Sequence, residues 1–173
     1  VMDVGGTSLT SAIVDSTGSV LSESLNHCEI NSTGPAETIL KTFAAILKSA
    51  LLFAQLNDLD VLGIGISICG PFNYNEGISQ IRGLNKYEAI YGFNVQEELR
   101  ARLNIHEDVS MIFDHDASSF ARGEAWSGAA SDYRRTIVLT LGTGLGSAFV
   151  VDGVVVEEGR GIPRLGWIAG QPY

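Results

Sequence analysis

Asp3-Val4-Gly5-Gly6-Thr7-Ser8-Leu9-Thr10-Ser11-Ala12-Ile13-Val14, read beside Leu141-Gly142-Thr143-Gly144-Leu145-Gly146-Ser147-Ala148-Phe149-Val150, decides the fold. Gly6, Thr7, Leu9, Ser11, Ala12 and Val14 recur as Gly142, Thr143, Leu145, Ser147, Ala148 and Val150 at a constant offset of 136. Six identities in nine consecutive positions, without a gap, favour an internal repeat over two unrelated hairpins with similar turns. Each copy reads as strand, glycine loop, strand. The repeat implies two lobes that open alike and face each other, a first over residues 1–116 and the start of a second over 117–173.

The chain between the copies alternates strands and helices. Val1–Val4 and Leu9–Val14 read as strands, Asp15-Ser16-Thr17-Gly18 as a turn, and Ser19–His27 as the returning strand. Gly34-Pro35 with Glu37 opens a helix, because proline fits the first helical position and an acid suits the positive end of the dipole. Ile39, Leu40, Phe43, Leu47, Ala50, Leu51 and Ala54 give that helix one apolar face. Val61–Ile68 is a buried strand, Asn94 with Glu97 caps a helix to Leu103, Val109–Phe113 is a strand and Ala117–Trp126 a helix. Strands Thr136–Leu141, Ser147–Val151 and Val154–Glu158 follow, the last two joined by Asp152-Gly153. The class is α/β.

Eleven Lys and Arg against twenty Asp and Glu give a net charge of −9. Nucleic-acid binding needs clustered cations, so it is not expected. No uninterrupted apolar run approaches the ~18 residues of a spanning helix, so no membrane partner is expected either. Two cysteines, Cys28 and Cys69, are too few for a disulfide framework or a four-cysteine zinc site, and a reducing cytoplasm is the simple reading. Val1 falls within a strand with no initiator Met, and Gly161–Tyr173 lacks a closing element, so the sequence is expected to be a fragment of a longer polypeptide.

The glycines carry the chemistry. In Asp3-Val-Gly5-Gly6-Thr7 converging backbone N–H groups can bind an anion, because glycine permits positive φ and has no Cβ to block approach. Gly142, Thr143 and Gly144 repeat that geometry, which suggests one polyphosphate held from both sides. Asp3 cannot favour a phosphate directly, and its natural role there is to hold magnesium through water. No Gly-Lys-Ser/Thr follows, so neither loop is a P-loop, and the strand–Gly-x-Gly-x-x-Gly–helix context of a dinucleotide fold is missing. Asp116 lies where a strand ends and a helix begins, a place where a carboxylate can take a proton from a substrate hydroxyl. A plain helix cap is the alternative for it. Asp114 reads as structural or water-facing, and His27 and His106 as structural.

Together these pieces resemble the ROK (repressor, open reading frame, kinase) family. Asp3–Thr7 with Asp15-x-x-Gly18, Gly63–Pro71 with Gly77-Ile78, His115-Asp116-Ala117 with Glu124, and Leu141–Gly146 with Asp152-Gly153 fall in the family's order along nearly the whole chain. The resemblance implies ribonuclease H-like duplicated lobes of the actin-like ATPase type, and ATP-dependent phosphorylation of a hexose hydroxyl. It implies Asp116 as the base, with Gly5, Gly6, Thr7, Gly142, Thr143 and Gly144 as the phosphate cradle. Asp3 would be the magnesium holder, with ATP and Mg2+ as cofactors. It further implies Gly70, Asn85, His115, Asp116, Glu124 and Arg164 as sugar-side residues, a small-molecule sugar as partner, and a homodimer as an open alternative.

Three departures from the family pattern stand out. His115 replaces an asparagine before the catalytic aspartate. Pro163-Arg164-Leu165-Gly166-Trp167 aligns with Gly-Glu-x-Gly-His, and the cysteine cluster of the family's zinc site has no counterpart, so no zinc site is expected. A non-catalytic sugar- or nucleotide-binding sensor on the same fold is the competing reading.

Overall fold

Met2 and Val4 are buried while Asp3 between them is exposed, the period-two pattern of a strand with one face in the core. This strand, β1 (Met2–Val4), pairs antiparallel with β2 (Ser8–Ser11), and β2 pairs antiparallel with β3 (Asn26–Glu29). On its other side β1 runs parallel to β4 (Gly63–Ile68), and β7 (Ser110–His115) completes a mixed five-stranded sheet in the order β3-β2-β1-β4-β7. The computed structural model describes residues 1–142, 144–163 and 166–168. They form two compact units, Val1–Asp114 and His115–Tyr173. The fold is α/β.

Helix α1 (Ala36–Leu56) covers the first unit's sheet with Ile39, Leu40, Phe43, Ile46 and Leu47, all buried. Full burial of such side chains is worth on the order of 1.5–3 kcal/mol each, and this face is the main anchor of the unit. Pro35 stands just before the helix as its N-cap, with extended backbone. α1 also has the length and composition of a membrane-spanning helix, with a mean hydropathy of 1.6 over its best window. Counting uninterrupted apolar residues missed this, because Lys41, Thr42, Lys48 and Ser49 break the run. Its apolar face belongs to the core of the first unit. Helix α2 (Val95–Leu103) starts where the Asn94 side chain accepts the Glu97 N–H at 3.1 Å and ends at left-handed Asn104.

The expected returning strand over Ser19–His27 is not continuous. Val14 and Val20 form an isolated bridge around the Asp15 turn, a 3-10 turn occupies Ser22–Ser24, and pairing resumes only at Asn26. The reason is local: Ser24 Oγ takes the Ile13 N–H at 2.8 Å and donates to Leu21 O, replacing the ladder bonds there. A small hairpin of β5 (Phe72–Asn73) and β6 (Ile78–Ser79) follows the Gly70–Pro71 peptide, which is cis.

In the second unit α3 (Asp116–Ser127) lies on one face of a three-stranded antiparallel sheet, β8 (Arg135–Leu141), β9 (Leu145–Val151) and β10 (Val154–Val156), in the order β10-β9-β8. Ala117, Ala121, Val138, Ala148 and Val150 form its small core. Ile137, Leu139, Leu141 and Leu145, on the opposite face, are exposed.

Candidate functional site

In the first unit the loop Gly5–Ser8 turns tightly, with the Gly5 N–H donating to Ser8 O at 3.0 Å. A Cβ on Gly5 would stand 2.9 Å from that same oxygen, so the close turn requires glycine. Positive φ, the other reason expected for glycine here, is not used: neither Gly5 nor Gly6 lies in the left-handed region. Three successive loop carbonyls accept hydrogen bonds from the body of the unit. Gly5 O accepts from the Tyr87 hydroxyl, Gly6 O from Ser32 Oγ, and Thr7 O from the Ile30 N–H at 3.0 Å. Asp3 stands in register between Thr10 on β2 and Ser67 on β4, exposed, and accepts from Ser67 Oγ at 2.9 Å. Gly70 and Asn85 lie in this unit too. Asn85 is exposed with φ 54°, and its N–H donates to Glu88 Oε1 at 3.0 Å.

The second unit carries the other loop. Gly142 N–H donates to Gly144 O at 3.1 Å, and a Cβ on either glycine would meet no atom within 4 Å. The approach to the backbone is open on that side. Thr143 lies outside the described residues, as does Arg164. Gly146, two residues further on, leaves room for its cross-strand partner and for α3, because a Cβ there would clash with Thr140 Oγ1 and stand 3.2 Å from Ala117 Cβ. Ala117, in the first turn of α3 next to Asp116, thus packs beside Gly146 near the start of β9.

Asp116 is the first residue of α3, and its side chain is 39% exposed. Oδ1 accepts from Ala117 N–H at 2.7 Å and lies 3.2 Å from His115 Nε2. The His115 ring in turn packs against the Trp167 ring, with centroids 5.6 Å apart. Two of the positions where the sequence departs from the family pattern are thus in contact, and one of them, His115, directly precedes the candidate base. Ser147 Oγ fastens the segment that carries Trp167, donating to Gly166 O at 2.6 Å and accepting from Ile168 N–H at 2.9 Å. Glu124 is not brought to Asp116. Eight residues along a helix separate them by about 12 Å, and the Glu124 carboxylate accepts the Ala129 N–H at 2.7 Å, closing the turn after α3. Among the described residues no group of three or more His, Cys, Asp and Glu side chains is arranged to hold a metal.

Sequence reasoning passed over Ser32 and Tyr87, which act on main-chain carbonyls 26 and 82 residues away and leave no local pattern.

A sequence model of the ROK family matches residues 1–168. A beta-glucoside kinase of Listeria innocua is 31% identical over 159 residues, which cover 91% of this chain and 48% of that protein. A putative xylose repressor of Caldicellulosiruptor sp. is 25% identical over 125 residues, covering 72% of this chain and 30% of that protein. The structure of a ROK family glucokinase from Streptomyces griseus, in complex with glucose and AMPPNP, shares the fold. Its TM-score is 0.73 at 23% identity, over 91% of this chain and 45% of that one. The chain spans about half the length of the curated kinases it matches. Because the match runs through both glycine hairpins, the cis Gly70–Pro71 corner and the start of α3, the chain belongs to the ROK family.

Proposed function

We propose that the protein carrying this chain transfers the γ-phosphoryl group of ATP to a hydroxyl of a hexose or hexose derivative. The observation that carries this reading is Asp116, a part-exposed carboxylate at the first turn of α3, next to Ala117, which packs beside Gly146 near the start of β9. In the reaction the substrate oxygen bonds to the γ-phosphorus, the bond from that phosphorus to the bridging oxygen breaks, ADP leaves and Asp116 takes the hydroxyl proton. Phosphoryl transfer asks the protein mainly for positioning and charge neutralisation. Gly5, Gly6, Thr7, Gly142, Thr143 and Gly144 would cradle the phosphates. Asp3, exposed and fixed by Ser67, fits a magnesium ion held through water, and magnesium supplies neutralisation of phosphate charge. In this reading residues 1–116 are the first of two ribonuclease H-like lobes and residues 117–173 open the second. A cytoplasmic setting agrees with the use of ATP.

On the sugar side we assign Gly70, Asn85, His115 and Arg164. Glu124 is a weaker member, since its carboxylate is already committed to the Ala129 turn. Arg164 can only donate hydrogen bonds, which favours a substrate bearing an acidic or acceptor group over plain glucose. Trp167 has no lone pair for a metal, so no zinc is assigned to this stretch.

The second reading is a non-catalytic sensor, favoured by the packing of Trp167 on His115 beside Asp116. A panel of hexoses assayed with ATP on the purified full-length protein separates the two. The kinase reading expects sugar-dependent ADP release that Asp116→Asn abolishes. ATP binding with no sugar raising ADP release would establish the sensor instead.

A further inference from the structure

We propose that Tyr87 and Ser32 are positioning residues for the first glycine loop, turning its peptide groups so that the Gly6 and Thr7 N–H bonds are presented to a phosphate. The proposal rests on the reading of that loop as an ATP phosphate cradle and names what makes it one.

A trans peptide is planar, so its C=O and N–H bonds point in opposite directions. The Gly5 carbonyl is bound by the Tyr87 hydroxyl, which directs the Gly6 N–H the other way. The Gly6 carbonyl is bound by Ser32 Oγ, which does the same for the Thr7 N–H. Among the described residues neither of these N–H groups has an acceptor. Both pins come from the buried side. Tyr87 is wholly buried and Ser32 nearly so.

The glycines that let the loop turn also leave it free to flip. With no Cβ on Gly5 or Gly6, rotation of the intervening peptide meets little steric resistance. A flipped peptide would aim a carbonyl oxygen at the phosphate, where it repels. Outside pins are therefore needed, and two neighbouring peptides each have one.

The pins are coupled and rigid. The Tyr87 N–H donates to Ser32 O at 2.6 Å, so the two residues hold each other. Tyr87 takes a left-handed backbone, φ 57°, unusual for a bulky residue, and its ring packs against Phe43 of α1 at 5.7 Å. Burial raises the Tyr87 pKa well above that of a free tyrosine, with the negative forms of Cys69, Asp3 and Cys28 adding to the rise, so the hydroxyl stays a donor.

Tyr87→Phe and Ser32→Ala in the full-length protein test this. Tyr87→Phe keeps the ring against Phe43 and removes only the donor. Affinity for ATP and for inorganic tripolyphosphate, measured by titration calorimetry, should fall about tenfold in each variant, the usual scale for a lost buried hydrogen bond. The KM for sugar should stay within about twofold. The Gly6 and Thr7 amide resonances should shift in both variants, with the melting temperature followed as a control. Unchanged affinity for both phosphate ligands, or parallel losses for ATP and sugar, would overturn the proposal. Should Tyr87→Phe fail to fold, Ser32→Ala, which leaves the core ring in place, decides the matter alone. If the wild-type protein binds neither ATP nor tripolyphosphate, the phosphate reading itself falls, and this proposal with it.

Discussion

In the first hairpin Val4 faces Leu9 across four loop residues, whereas in the second Leu141 faces Leu145 across three. The offset of 136 therefore holds along the outgoing strands, β2 and β9, and slips by one on the incoming strands, β1 and β8. By count, the partner of Asp3 is Leu139; by pairing it is Thr140, which faces Gly146 as Asp3 faces Thr10. One residue of slip moves every side chain of a strand to the other face. Neither Leu139 nor Thr140 is acidic, so by either alignment the second hairpin has no carboxylate at the position of Asp3. Its loop is open around Gly142 and Gly144, while the first is bound from behind by Tyr87, Ser32 and Ile30. In the proposed function both glycine turns hold phosphate, and only the first has a carboxylate, Asp3, beside it for a cation.

The strongest challenge to this division is Asp116→Asn, which keeps the shape of the side chain beside the second loop and removes the proton acceptor. Turnover should fall by ~10²–10⁴ with the melting temperature held. Steady-state kinetics on the folded variant checks it, and near-normal turnover would sink the kinase mechanism.

Next come the glycines themselves. Gly5→Ala drives a Cβ against Ser8 O and should lower stability by about 1–3 kcal/mol, whereas Gly144→Ala meets nothing and should lie within about 0.5 kcal/mol of wild type. Gly144→Val should instead weaken ATP much more than sugar. Thermal melts and ligand titrations separate the two loops, and equal destabilisation by the two alanines would erase the contrast.

A smaller effect is expected at the slipped pair. Asp3→Asn should raise the magnesium concentration needed for half-maximal activity about tenfold, while Thr140→Val should leave it unchanged. A magnesium titration at saturating ATP reads both.

The smallest effect belongs to the turn after β2. Hydrogen bonds from the Thr17 hydroxyl and from the Ser19 and Thr17 amides hold the Asp15 carboxyl below its usual range. A depressed folded value means stability present above the unfolded pKa of about 3.9 and lost as pH falls through the folded one. Asp15→Asn should therefore narrow the difference in melting temperature between pH 7 and the acid side of that window. Arg134 depresses Asp152, at the turn after β9, in the same direction.

The sequence displays what repeats locally. The apolar face of α1, the Asn94 cap and Asp116 at a strand-to-helix junction are all visible from spacing and residue type. The β5–β6 hairpin is not, because two-residue strands are too short to show alternation. Nor is the slip between the copies, since a gapless alignment of six identities conceals a change of partner on the opposite strand. Motif order named Glu124, yet the helix rise carries it away from Asp116, and the structure adds that its carboxylate is taken by the Ala129 N–H.

The exposed apolar residues on the β8–β9 sheet have a practical side for anyone handling this chain. Ile137, Leu139 and Leu141 of the edge strand β8, with Leu145 of its neighbour β9, form a greasy surface of the kind that joins copies side by side. Each copy carries a net −9, so copies repel one another in dilute buffer. That repulsion fades within about 8–10 Å at physiological salt and weakens as carboxylates protonate. Colloidal stability of the isolated chain should therefore be best in low-salt, mildly alkaline solution. Turbidity should appear first when salt is added or the pH drops, well before the fold itself gives way.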